Sequence, residues 1–202
     1  MFIQIMQGRC TRQDELRALA EGWAEELGPR SEGWLGSTFG FTDDDMFVGV
    51  VRFTDRAAAM HNSERPEQAS WASRMTALMD GPIEFHDCDD VTLMMDGGSD
   101  AAGFVQVIRG RVADPSRLKA MLTDESSTRM LHQARPEILG ATLAVEEDGT
   151  FTETIAFTSE AAAREGEQRA MPEMPDDIRA TLEEAMAGAR FYDLHHPWFH
   201  SH

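Results

Sequence analysis

Residues 2–9 read FIQIMQGR and residues 104–111 read FVQVIRGR. Both follow Phe-x-Gln-x-x-x-Gly-Arg, so one strand design opens each half of the 202-residue chain. Such self-similarity at a long, fixed spacing is the mark of a duplicated structural unit. In the first copy Ile3 and Ile5 point one way while Phe2, Gln4 and Met6 point the other, which suits a sheet covered on both faces.

The match extends outward from these strands. Leu35-Gly36 aligns with Leu139-Gly140, Thr54 with Thr158, Ala57 to Ala59 with Ala161 to Ala163, and Arg65 with Arg169. Thr11 is the expected N-cap of a first helix that carries Leu16, Leu19, Ala20, Trp23 and Leu27 on one stripe and stops at Gly28-Pro29. Trp34 to Phe41 and Met46 to Phe53 then read as a hairpin across Asp43 to Asp45. A second helical region starts near Thr54 and breaks around Pro66, and Ile83 to Phe85 begins a last strand that extends or bends into Val91 to Met95. The order is βαββαβ. It restarts after the glycine-rich stretch DGGSDAAG, with Asp114-Pro115 as a helix start and Leu118, Met121 and Leu122 as its apolar stripe. Ile138 to Val145, Phe151 to Phe157, a helix over Asp176 to Ala187 and a strand over Arg190 to Leu194 complete the second copy. The expected organisation is α+β, with a ferredoxin-like module over residues 1–95, a linker over 96–103 and a second ferredoxin-like module over 104–202 ending in a histidine-rich tail.

Charge narrows the function classes. The chain has 36 acidic and 18 basic residues, a formal charge of −18, with both halves acidic and Lys119 the sole lysine. That balance opposes attraction to nucleic acid or to an anionic membrane surface. The two cysteines, Cys10 and Cys88, make neither a disulfide framework nor a metal motif and read as reduced thiols. No basic leader and no long apolar run is present, so a cytoplasmic protein is expected. Glycine loops for a nucleotide are missing as well, which leaves any cofactor unassigned.

In element order, length and repeat pattern the chain resembles the dimeric α+β barrel superfamily, in particular antibiotic-biosynthesis-monooxygenase-like proteins, as two tandem copies. The resemblance implies that the two modules pair within one chain as an intramolecular dimeric α+β barrel, with a homodimer of fused modules as the alternative. It implies a reaction site in the cleft between helices and sheet. The activity it implies is that of a cofactor-independent monooxygenase acting on a small aromatic or polyketide-like molecule. A noncatalytic small-molecule-binding or structural protein, and a haem-binding or haem-degrading protein, are the alternatives.

The candidate catalytic residues on this reading are His61 as a base and Trp71 as a pocket wall. Candidate ligand-binding residues are Gln4 and Gln106, which break their strands at matched positions, and the matched arginines Arg9, Arg111, Arg65 and Arg169, which could orient an anionic group. The alternative for the glutamines is a hydrogen-bonded pair between modules; for the arginines it is ordinary salt bridges. Glu165 and Pro175 stand where His61 and Trp71 would recur, so the two copies are expected to be unequal. Met75, Met79, Met94, Met95, Met171, Met174 and Met186 could line an irregular cavity. In the tail, His195, His196, His200 and His202 could bind a metal adventitiously, whereas Trp198 and Phe199 are expected to anchor the end against one module.

Overall fold

The structure, a computed structural model, describes residues 1–169 and 175–201, with the backbone alone at 125 and 127. Contacts divide the chain into two units, residues 1–89 with 197–202, and residues 90–196.

The first unit contains β1 (Phe2–Arg9), α1 (Gln13–Glu26), a single 3-10 turn (Gly28–Arg30), β2 (Trp34–Phe41), β3 (Met46–Phe53), α2 (Arg56–Ser63), α3 (Pro66–Leu78) and β4 (Glu84–Cys88). The second contains β5 (Asp90–Met94), β6 (Phe104–Arg111), α4 (Pro115–Thr123), α5 (Glu125–Ala134), β7 (Ile138–Val145), β8 (Thr150–Phe157), α6 (Glu160–Glu167), α7 (Asp176–Met186) and β9 (Arg190–Leu194). A tenth strand, β10 (Trp198–Ser201), returns to the first unit. Each unit is an α+β module built on a five-stranded sheet, ordered β10-β2-β3-β1-β4 in the first and β5-β7-β8-β6-β9 in the second, with every pairing antiparallel. Without its outer strand β10 or β5, each sheet has the 4-1-3-2 order of a ferredoxin-like βαββαβ unit.

Two local expectations are corrected. Thr11 does not cap α1: its amide and hydroxyl both donate to Asp80, at 2.7 and 3.3 Å, and Arg12 stands at the cap without a side-chain bond. Val91 to Met94 does not prolong the last strand of the first copy. It forms β5 and pairs with β7, from Asp90 opposite Val145 to Met94 opposite Ala141. Reciprocally, β10 pairs with β2, placing Trp198 beside Phe39 in the first core. The expected anchoring of the tail is therefore achieved by a strand. The starts of α2, α4 and α6 follow ordinary chemistry, with Asp55, Asp114 and Ser159 accepting amide bonds from Ala58, Ser116 and Ala162.

Leu35-Gly36 and Leu139-Gly140 mark matching bulges, where the register of each central hairpin slips. The glycines are required there by close approach. A Cβ on Gly36 would lie 2.7 Å from the carbonyl oxygen of His200 on β10, and one on Gly140 only 1.6 Å from that of Gly97, just after β5.

The central strands of each sheet carry buried residues on both faces. In the first unit Phe2, Met6, Phe39, Phe47 and Phe53 join Leu16, Leu19 and Trp23 of α1 and Met75 of α3, while Ile3, Ile5, Val48 and Val50 on the other face are also buried. Cys10 and Cys88 are free, buried thiols. Among the described residues no helix is long and apolar enough to cross a membrane.

Candidate functional site

The two helix–sheet clefts differ. In the first unit Phe39 stacks with Phe47 at 5.9 Å and lies tilted against Trp198 at 5.6 Å between ring centroids. Its ring would be 2.9 Å from a Cβ on Gly49, so a side chain at this strand position would force the ring to shift. Trp23 lies edge-on to Trp34 at 5.1 Å and donates to Gln68 at 2.6 Å, and Trp71 donates to the Leu19 carbonyl at 3.0 Å. All four tryptophans of the chain belong to this unit. The cavity they leave is about 50 Å³.

In the second unit Leu143 stands for Phe39, Ile138 for Trp34, and Glu153 for Gly49. Helical cover also changes, because one continuous α1 is replaced by α4 and α5, broken at Asp124. The result is a cavity of about 400 Å³ between the sheet and helices α4, α5 and α7. That volume is in the range of small-molecule sites. Its wall is mostly apolar and includes Met94, Met95, Met121 and Met186; Met171 and Met174 lie outside the described residues.

Glu153 projects from the middle of β8 into this cavity, on the same face as Phe151, Ile155 and Phe157. It makes no hydrogen bond or ion pair with any described residue, and the surface it retains faces the cavity. Burial alone raises its pKa from 4.5 to about 7. An unpaired carboxyl in apolar surroundings holds its proton because the charged form has lost its water. The folded state thus binds more protons than the unfolded state between these two values. This contribution to stability is present below the unfolded pKa and is lost as pH rises toward about 7, where the cost of the charge reaches about 3 kcal/mol.

Gln106, 7% exposed, shares the cavity with Glu153 and donates through Nε2 to Asp193 at 2.9 Å. Gln4 makes the same contact in the first unit, to Asp87 at 2.8 Å, and lines the small cavity. Each glutamine therefore bonds an aspartate on the neighbouring strand of its own sheet. Arg9 and Arg111 are exposed and lie 3.6 and 3.8 Å from Asp45 and Asp148 at their hairpin turns. Arg65 and Arg169 donate to matching carbonyls, Arg30 and Ala134, both at 3.2 Å. None of these four arginines lines either cavity. His61 is exposed on α2 and lines neither; Trp71 lines the small one. The structure thus brings Gln106 to the larger cavity, adds Glu153, and places His61 apart from Trp71's pocket.

A buried ion pair frames one end of the cavity. Glu137, 5% exposed, accepts from Arg135 and, at 2.9 Å, from Arg169. Burial pushes its pKa up, but hydrogen bonds from Arg135, its own backbone and Arg169 outweigh that and hold it below the ordinary value. Gly166 makes room for this carboxylate. In the first unit the pair is exchanged: Gly33 stands at the position of Glu137 and buried Asn62 at that of Gly166, with Arg65 donating to Asn62 at 3.2 Å.

Among the described residues no three His, Cys, Asp or Glu side chains are grouped to hold a metal ion. In the tail, His195 contacts Glu160 at 2.8 Å, His200 lies on β10 against Phe39, and His202 is outside the described residues.

No protein-family model and no curated protein matches the chain. Solved structures do match in fold. A provisionally named monooxygenase from Fusobacterium nucleatum superposes with a TM-score of 0.72 at 10% identity, over 99% of this chain and 94% of that one. Another from Lactobacillus acidophilus gives 0.69 at 14% identity, over 96% and 92%. An anthrone oxidase-like protein gives 0.61 at 10% identity, over 100% and 94%. The matches span both modules, so the chain shares the tandem α+β fold of these structures.

Proposed function

We propose that the protein is a cofactor-independent monooxygenase acting on a small aromatic or polyketide-like molecule in the cavity of the second unit. The observation that carries this reading is Glu153, a lone carboxyl whose pKa of about 7 suits a general base, set in an apolar cavity of substrate size. The substrate is its own electron source. Glu153 removes a proton from a methylene activated by flanking rings or a carbonyl, and the carbanion passes its electron pair to dioxygen. One oxygen atom stays on carbon as a carbonyl, and the other leaves as water with the two methylene hydrogens. The apolar wall shields the carbanion from water.

A noncatalytic binding protein is the second reading, favoured by the nearly all-apolar wall. Haem has less support, since no His, Cys or Tyr is among the described residues lining the cavity to ligate iron. For the architecture, the burial of Ile3, Ile5, Val105 and Val107 on the sheet faces opposite Phe2 and Phe104 supports pairing of the modules as an intramolecular dimeric α+β barrel.

Anthrone under air is the direct test, with oxygen uptake and quinone formation followed together. The wild-type protein accelerates both, and Glu153→Leu lowers the rate about a hundredfold, the usual worth of a positioned base. An unchanged rate in a folded Glu153→Leu protein would rule out the assigned base, and binding without oxygen uptake would favour the second reading.

A further inference from the structure

The small cavity of the first unit differs from the large one in chemistry as well as in size, and the two share no described residue. Five polar side chains, Gln4, Ser37, Asn62, Ser63 and Gln68, line it beside an otherwise apolar and aromatic wall. Ser37 is 1% exposed and Asn62 5%. The second copy has Ala141 in place of Ser37 and Gly166 in place of Asn62, so this polar lining belongs to one module only. Gln4, Val51 and Ser37 lie side by side across β1, β3 and β2, and Gln106, Ile155 and Ala141 repeat the row across β6, β8 and β7.

Unambiguous partners fix which polar atoms remain unpaired. Arg65 can only donate, so at 3.2 Å it takes Asn62 Oδ1 and leaves Nδ2 without a hydrogen bond to any described residue. Indole nitrogens also only donate. Trp23 takes Gln68 Oε1 at 2.6 Å and Trp34 takes Ser37 Oγ at 3.1 Å, which leaves the Gln68 amide nitrogen and the Ser37 hydroxyl proton unused. Gln4 gives one amide hydrogen to Asp87 and keeps the other, together with its oxygen. Ser63 and Trp71 spend their hydrogens on the Ala59 and Leu19 carbonyls, both at 3.0 Å. The unpaired set is rich in donors and includes the Gln4 oxygen as an acceptor. No charged side chain among the described residues lines the cavity.

We infer that the first unit's cavity is a water site, holding ordered water between Asn62, Ser37, Gln68 and Gln4 and closed to apolar ligands. Its volume of about 50 Å³ suits about two water molecules, each of which takes about 30 Å³ in the liquid. Water both accepts and donates, so it satisfies every unpaired group. An apolar molecule would leave the buried amide and hydroxyl hydrogens dry, which costs more than immobilising a water. An anion would find donors but no lining cation, in a chain of net charge −18. The duplicated chain thus carries a hydrated cavity in one module and an apolar cavity in the other.

Crystals of the full-length protein that diffract well enough to show bound water, before and after xenon pressure, test this. The wild-type protein shows water density within about 3.2 Å of Asn62 Nδ2 and in reach of Ser37 or Gln68. Xenon leaves that density in place, because xenon takes dry, apolar cavities. Asn62→Leu keeps the branched shape, removes both polar atoms and loses the density at that position. Arg65 still donates to the Arg30 carbonyl at 3.2 Å in this variant, so no guanidinium is stranded. The wild-type crystals decide the question even where the variant fails to fold. No density at Asn62 Nδ2, xenon in the wild-type cavity, or unchanged density in a folded Asn62→Leu protein overturns the inference.

Discussion

Gly140→Ala unfolds the second unit's outer sheet edge and lowers stability by about 3 kcal/mol or more, at the high end for a single methyl group. The added carbon would meet backbone, at 1.6 Å from the Gly97 oxygen, 2.8 Å from the Gly97 carbon and 2.9 Å from the Met95 oxygen. None of these is the movable end of a side chain. Met95, Asp96 and Gly97 already adopt positive φ angles of 48°, 65° and 87°, and the Gly97 amide closes the turn onto the Met94 carbonyl at 3.0 Å. The turn cannot retreat without withdrawing β5 from β7. Because Met94 and Met95 line the large cavity, ligand affinity falls with stability. Urea denaturation measures the loss, and Gly22→Ala is the control. Gly22 lies inside α1 with no atom beyond its chain neighbours and the helix's own backbone within 4 Å of the added carbon, and alanine there gains up to about 1 kcal/mol of helix propensity. A Gly140→Ala protein as stable as wild type would mean that β5 does not approach β7 as described.

The second large effect is at the buried ion pair. Glu137→Ala leaves the guanidinium of Arg135, on a side chain 15% exposed, without its carboxylate, and removes the same partner from Arg169. Breaking such a pair from one side costs about 3 kcal/mol, toward the low end for buried pairs because Arg169 is partly hydrated. The pH dependence has the sign opposite to that of Glu153. Glu137 has a lowered folded pKa, so its contribution is present above the unfolded value of 4.5 and disappears as pH falls through the lower folded value. The first unit supplies the informative rescue. Gly166→Asn alone drives a side chain into Glu137, since even a Cβ there would lie 1.8 Å from Oε1. Combining Glu137→Gly with Gly166→Asn rebuilds the Gly33 and Asn62 arrangement. The double variant loses less than the sum of the two single losses, a coupling that a double-mutant cycle reads directly. Strict additivity would contradict the exchange.

The repeat was legible because it is carried by residues with one physical job each. Leu35-Gly36 and Leu139-Gly140 mark bulges that no larger residue fits, and Arg65 and Arg169 fasten matching carbonyls. The partners of β5 and β10 were not legible. A short strand such as Val91 to Met94 alternates acceptably in either sheet, and the choice rests on contacts distant in sequence. Thr11 has the composition of an N-cap, yet Asp80, far along the chain, takes both its donors.

For the site, the signal that singled out Gln4 and Gln106, a polar residue interrupting an apolar strand face, was equally present at Glu153, between Phe151 and Ile155. Matching by repeat obscured it, because the first copy has Gly49 there. The difference between copies held the information: Phe39 fills the space over Gly49, whereas Leu143 leaves it open over Glu153. His61 and Trp71 could not be separated by sequence, since only the packing of Ala59 and Asn62 turns the intervening His61 outward.

The carboxyl of Glu153 is the centre of the account, and carbon-13 NMR of side-chain-labelled glutamate measures its ionisation directly, with the signal assigned by its loss in Glu153→Gln. The account predicts a titration near pH 7 in the free protein and, between pH 4.5 and 7, a fall in stability with rising pH that Glu153→Gln lacks. Titration at the ordinary value of 4.5 would contradict it, because the carboxyl would then be hydrated and the cavity would not be the apolar site described.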